Sequence, residues 1–168
     1  MPINLTKTYN ELLDIIGMDE SSRKKSLMLI FDRDIRNNLE LCFLNKPIHP
    51  TPVDGELKIE ILFSHLTTVM IDHDTKHRAY DFERASRLHW VKFHLDVKKQ
   101  DRVLHFSVKE PEGLRTYIYD MDEKYVIVLE PLRKISAYYL LTAYYLIGKD
   151  AKRNKMMNKY KRREKEVY

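Results

Sequence analysis

The sequence predicts an α+β protein: N-terminal helices, then a helix packed on a small, mostly antiparallel sheet of about four strands. Three observations carry that expectation. Apolar residues recur in steps of three and four over two stretches of the N-terminal half, Leu5 to Leu39 and Leu57 to Leu95. From Val103 to Ile147 the period shortens to two, with turn residues between the runs. Residues 45–56 hold three of the six prolines and one of the four glycines, so the helical half is interrupted there.

Residues 4–17 place Leu5, Tyr9, Leu12, Leu13 and Ile16 at helical spacing, with Gly17 as a stop. Asp19 or Ser21 then caps a second helix, which buries Leu27, Ile30, Phe31, Ile35 and Leu39. Pro47, Pro50 and Pro52 each remove a backbone donor, so residues 45–56 read as an extended connector. A third helix runs from Leu57 to about Met70, with Ile59, Leu62, Phe63 and Leu66 on one face and His65, Thr67 and Thr68 close by. Residues 72–80 are polar and read as a loop. His73 and His77 have helical metal spacing, but no third ligand is near, so no metal is expected.

The helix over 81–97 carries two apolar stripes and is therefore expected to be covered on two sides. His89 lies in the second stripe between Phe82 and Phe93, a position that by spacing alone suits a core histidine. Four strands follow, Val103–Val108, Leu114–Tyr119, Tyr125–Glu130 and Tyr138–Ile147, joined by turns at Glu110–Gly113 and Asp120–Glu123. Tyr125–Leu129 is almost continuously apolar and reads as central. Tyr144 and Tyr145 point to opposite faces, so one of them reaches water or a ligand. This divides the chain into a helical accessory region with its connector (1–56), a helix-plus-sheet module (57–148) and a basic tail (149–168).

Composition bounds the function. The chain of 168 residues can bury a core without disulfides. Its single cysteine, Cys42, excludes an internal disulfide and a cysteine-rich zinc site. No run approaches a membrane span, and the first residues lack the form of a signal peptide, so a cytoplasmic protein with no membrane partner is expected. The tail carries nine Lys/Arg against three Asp/Glu, a net +6, while the whole chain carries +5, which leaves the body near −1. Such a tail favours phosphate-rich partners, or is a solvated helix. Four isolated glycines exclude the P-loop and the dinucleotide fingerprint, and no acidic pair is placed for two-metal catalysis.

What remains is a set of His, Arg, Thr and Tyr side chains suited to cleaving RNA without metal or other cofactor. The 2′-hydroxyl must lose a proton, the 5′-oxygen must gain one, and cations must hold the phosphorane. The run Arg87-Leu88-His89-Trp90-Val91, then Leu104-His105-Phe106-Ser107, Arg115-Thr116-Tyr117-Ile118, Tyr125-Val126-Ile127-Val128-Leu129 and Tyr139-Leu140-Leu141-Thr142-Ala143-Tyr144-Tyr145, resembles the phage- and polymorphic-toxin branch of the barnase–EndoU–colicin–RelE (BECR) nuclease superfamily. Its members are mostly metal-independent RNA-cleaving toxins, and the resemblance covers about residues 80–148. It implies His89 as acid/base, with Arg115, Thr142 and Tyr144 at the phosphate. His105 is a second acid/base candidate. Lys92 and the tail residues Lys152, Arg153, Lys155, Arg162 and Arg163 would grip RNA. An antitoxin or immunity protein is the implied partner beside RNA. The alternative is a catalytically inactive RNA-binding or phage accessory protein on the same scaffold.

Overall fold

The computed structural model describes residues 2–54 and 56–168, with the side chains of Glu56 and Leu57 left aside. A helix α1 (Glu20–Phe31) is followed by short strands β1 (Cys42–Phe43) and β2 (Lys46–Pro50) and a small ribbon of β3 (Pro52–Val53) and β4 (Glu56–Leu57). Helix α2 (Ile59–Thr67) leads into a second ribbon, β5 (Thr68–Asp72) with β6 (His77–Tyr80). Short helices α3 (Phe82–Ala85) and α4 (Trp90–Leu95) precede strands β7 (Val103–Glu110), β8 (Gly113–Asp120), β9 (Tyr125–Leu132) and β10 (Ala137–Tyr145). Helices α5 (Gly148–Lys152) and α6 (Lys155–Lys161) close the chain.

The main sheet has six strands in the order β1-β2-β10-β9-β8-β7, which corrects the expected sheet of about four. The four expected strands form its antiparallel part, and β9 lies centrally. Of the two additional strands, β2 comes from the proline-rich stretch and β1 lies just before it. β2 pairs in parallel with β10, matching Ile48 with Tyr138 and Pro50 with Leu140. Proline is admitted because β2 sits near the edge, flanked outside only by the two-residue β1. The reading of 45–56 as a plain connector followed from counting missing donors, and it overlooked this position.

Four helical expectations are also corrected. Residues 4–17 form one 3₁₀ turn (Ile3–Thr6) and then an irregular arm. Tertiary contacts outweigh the helical spacing there. Tyr9 stacks flat on Phe93 with centroids 4.1 Å apart, and the Asn4 side chain bridges Asp14 and Ser26. Leu39 is exposed, because the chain leaves the helix after a turn of π-helix at Asp32–Arg36. Helix α2 stops at Thr67, where Thr67 and Thr68 turn their hydroxyls onto the carbonyls of Phe63 and Ser64 and a β-branched run begins. The second half of the expected 72–80 loop is β6. The 81–97 helix is broken: residues 87, 88, 90 and 91 donate to the carbonyls three positions back, a 3₁₀-like link between α3 and α4.

Strand alternation sends side chains into two cores. On one face Ile118, Tyr125, Ile127, Leu129, Tyr138 and Leu140 pack with the helices and the N-terminal arm. On the other, Phe106, Val108, Tyr117, Val126 and Val128 pack beneath the tail, where Met156 is 1% exposed. The tail is thus docked rather than loose. Glu110 accepts from Tyr117 Oη at 2.9 Å and from Lys159, which pins α6 to the β7–β8 hairpin. Beyond α6 the chain crosses edge strand β7, where Glu164 N donates to the Ser107 carbonyl at 2.7 Å. The Tyr168 carbonyl then accepts from Thr116 and Tyr138 on the opposite face. This wrap covers the sheet edge that β7 would otherwise expose.

Among the described residues, no helix is long and apolar enough to cross a membrane.

A candidate phosphate-binding cleft

Helix α2, the β5–β6 ribbon, α3 and β10 converge on one cleft of about 780 Å³. Its walls include His65, Arg78, Arg84, Thr142, Tyr144 and Lys155. Asp81 caps α3, accepting from the Arg84 backbone N–H at 3.0 Å, and the Arg84 side chain reaches β10. Its Nη1 donates to Thr142 Oγ1 and to the His65 carbonyl, both at 3.0 Å. The Thr142 hydroxyl also donates to that carbonyl at 3.3 Å. Arg78 donates from Nε to Thr68 Oγ1 at 2.8 Å and from Nη2 to the Thr68 carbonyl at 3.0 Å.

Both guanidiniums are held by neutral oxygens. Among the described residues neither forms an ion pair with a carboxylate; Asp81 acts on Arg84 only at longer range. Burial lowers the pKa of each, and the charge of Arg84 adds to the effect on Arg78. Two cations lining one cleft with no carboxylate in contact favour an anion between them.

The His65 imidazole lies below its ordinary pKa because it is partly buried, with Arg78 and Arg84 adding to the shift and a backbone hydrogen bond to Leu141 opposing it. It is therefore neutral at pH 7 and able to take a proton. The Tyr144 phenol is pushed up to about 12, chiefly by burial, and keeps its proton. The Arg84 guanidinium lies 5.7 Å from its ring centroid. Lys155 reaches the cleft from the start of α6, paired with Asp150 at 3.2 Å.

Of the residues singled out in the sequence, Thr142, Tyr144 and Lys155 meet in this cleft, and His89 and Arg115 are not among its walls. His89 is 6% exposed, with Nε2 3.0 Å from the Thr8 carbonyl. Burial lowers its pKa. With Trp90 Nε1 donating to the Glu11 carbonyl, it fastens the N-terminal arm onto α4. Lys92 lies in the same separate groove and pairs with Asp96. Arg115 pairs with Glu130 at 3.5 Å on β9. His105 packs edge-on against Phe43, 5.0 Å between centroids. In the tail, Lys152 and Arg153 are exposed, Arg162 follows α6, and Arg163 folds back over the Tyr160 ring at 4.0 Å.

His65, Arg78 and Arg84 were missed as site residues. They lie far from Thr142 in sequence, and only the strand path of β10 brings them together. His73 borders the same cleft at the ribbon turn, whereas His77 opens β6. Among the described residues no three His, Cys, Asp or Glu side chains converge as metal ligands would.

No protein-family model matches this chain, and searches of curated proteins and of solved structures return no match. The BECR resemblance accordingly rests on the residues that carry it.

Proposed function

We propose that the protein is a metal-independent ribonuclease of toxin or phage-defence type that holds the RNA phosphate between Arg78 and Arg84. The observation that carries this reading is the convergence of two guanidiniums lacking carboxylate partners with the His65 imidazole and the Tyr144 phenol in one cleft. His65 takes the proton from the 2′-hydroxyl, whose oxygen attacks the phosphorus. Arg78 and Arg84 neutralise the charge on the phosphorane. The bond to the 5′-oxygen breaks and Tyr144 delivers a proton to that leaving oxygen, which gives a 2′,3′-cyclic phosphate and a 5′-hydroxyl. Thr142 acts through Arg84 as a positioning residue. His89, on this reading, holds the fold rather than the proton. A nuclease of this kind needs restraint in the cell that makes it, which is the role an antitoxin or immunity partner would fill.

One observation favours the second reading, an RNA-binding protein without cleavage: the histidine of the helix motif, His89, is sequestered under the N-terminal arm. The test is a gel assay on single-stranded RNA with a chelator present, using wild type, His65→Ala and Arg84→Ala. Cleavage by wild type that is lost in His65→Ala supports the nuclease. Binding weakened by Arg84→Ala with no cleavage by any form supports the second reading. Neither binding nor cleavage refutes both.

A further inference from the structure

A second cavity, about 340 Å³, lies between α1, α2 and β6, and one of its lining residues touches a residue that lines the cleft. Thr68 lines this cavity, and its hydroxyl and carbonyl both hold the Arg78 guanidinium that lines the cleft. The two spaces are therefore one side chain apart. Their chemistry differs. The cleft presents the cations Arg78, Arg84 and Lys155, whereas the cavity has an apolar floor of Leu27, Met28 and Phe63. One wall is the Tyr80 ring, which carries the Arg23 guanidinium 3.7 Å from its centroid. Two hydroxyls, Ser64 Oγ and Thr68 Oγ1, stand 3.3 Å apart at its side. Glu20 and Glu60 are also among the lining residues, which disfavours a second phosphate there.

We infer that this cavity is a nucleobase subsite, receiving the base next to the phosphate held by Arg78 and Arg84. A base is flat and apolar on its faces and polar at its edge. The Arg23–Tyr80 plate suits the faces, by stacking and by the cation. The Ser64 hydroxyl suits the edge. Thr68 Oγ1 already donates to the Ser64 carbonyl and accepts from Arg78 Nε, so a single rotatable hydroxyl meets the base and the subsite reads sequence weakly. The substrate is accordingly single-stranded RNA, since a base paired in a duplex cannot enter a cavity of this kind.

This inference rests on the cleft being an RNA phosphate site, and the experiment separates the two. Binding of inorganic phosphate and of a ribodinucleotide with a 2′-deoxy sugar at the scissile position is measured by NMR titration. The proteins are wild type, Tyr80→Ala, Met28→Trp (which fills the cavity from α1) and Arg84→Ala. Tyr80 is 36% exposed, so its replacement spares the core. The expected result is a loss of about tenfold or more in dinucleotide affinity for Tyr80→Ala, the scale of one base–aromatic stack. Met28→Trp shows a similar loss, phosphate affinity is unchanged in both, and Arg84→Ala weakens both ligands. If Arg84→Ala weakens both ligands while the two cavity variants bind the dinucleotide like wild type, the subsite is refuted and the cleft stands. If wild type binds neither ligand, the cleft reading falls and the subsite falls with it.

Discussion

Replacing Asp120 should show how the N-terminal arm is held. Asp120 is fully buried at the end of β8. It accepts from Lys99 Nζ at 2.9 Å, from the Tyr9 hydroxyl, and from the backbone N–H groups of Asp122 and Glu123 at 3.1 and 3.2 Å. His94 Nε2 lies 3.2 Å away. Burial alone would raise this carboxyl, but the contacts from His94, Tyr9 and Lys99 hold it far below the usual carboxylate range. Asp120→Ala leaves a cation, a phenol and two backbone donors without their acceptor. Breaking a buried pair from one side costs about 3–5 kcal/mol. In a domain of this size that lowers the melting temperature by about 2–4 °C per kcal/mol. Urea unfolding followed by circular dichroism measures the loss. Asp120→Asn isolates the charge. Because the folded pKa is depressed, the stability contributed by the charge is present above the unfolded value of about 3.9 and is lost as pH falls through the folded value. The gap between wild type and Asp120→Asn should therefore narrow as the pH falls below about 4. A gap below 1 kcal/mol for Asp120→Ala, or one independent of pH for Asp120→Asn, would refute this account.

Three further outcomes are expected. His89→Ala should destabilise the fold by about 1–3 kcal/mol, through the unpaired Thr8 carbonyl and the lost packing, yet leave RNA affinity at the cleft within twofold; native-state proteolysis should show the arm released first. The pH–rate profile of cleavage should have its acid limb below about 6.5, the ordinary imidazole value, because burial and the two arginines favour neutral His65. Glu110→Gln should loosen the tail at a cost of about 1–3 kcal/mol, read as faster hydrogen exchange in α6, since it weakens the bonds from Tyr117 and Lys159.

The antiparallel core was legible because Leu104, Phe106 and Val108 alternate with polar residues on β7 and the Tyr125–Leu129 run of β9 is apolar, patterns that burial of one face or of both imposes. β2 was hidden because proline counts against a strand unless its place near an edge is known. The arm was misread because Leu5, Tyr9 and Leu13 have helical spacing yet are recruited separately, Tyr9 to Phe93 and Asp120, and the Leu13 backbone to the Ser86 carbonyl. Half of the cleft was visible: Thr142 and Tyr144 stood out on the last strand. His65 and Arg84 did not, since whether an arginine is paired with a carboxylate or, like Arg84, held by a carbonyl and a hydroxyl depends on its surroundings. Sequence gives no sign of that. His89, the histidine of the helix motif, is buried with Nε2 at the Thr8 carbonyl, a contact with the arm that helical spacing alone did not reveal.

The central claim is that the Arg78–Arg84 cleft cleaves RNA with His65 as base. The most direct measurement is phosphorus NMR of a short single-stranded RNA incubated with the purified protein and a chelator, beside His65→Ala. A 2′,3′-cyclic phosphate resonance that grows with wild type and is absent with His65→Ala is the predicted result. Intact RNA with both proteins, or equal cleavage by both, would contradict it.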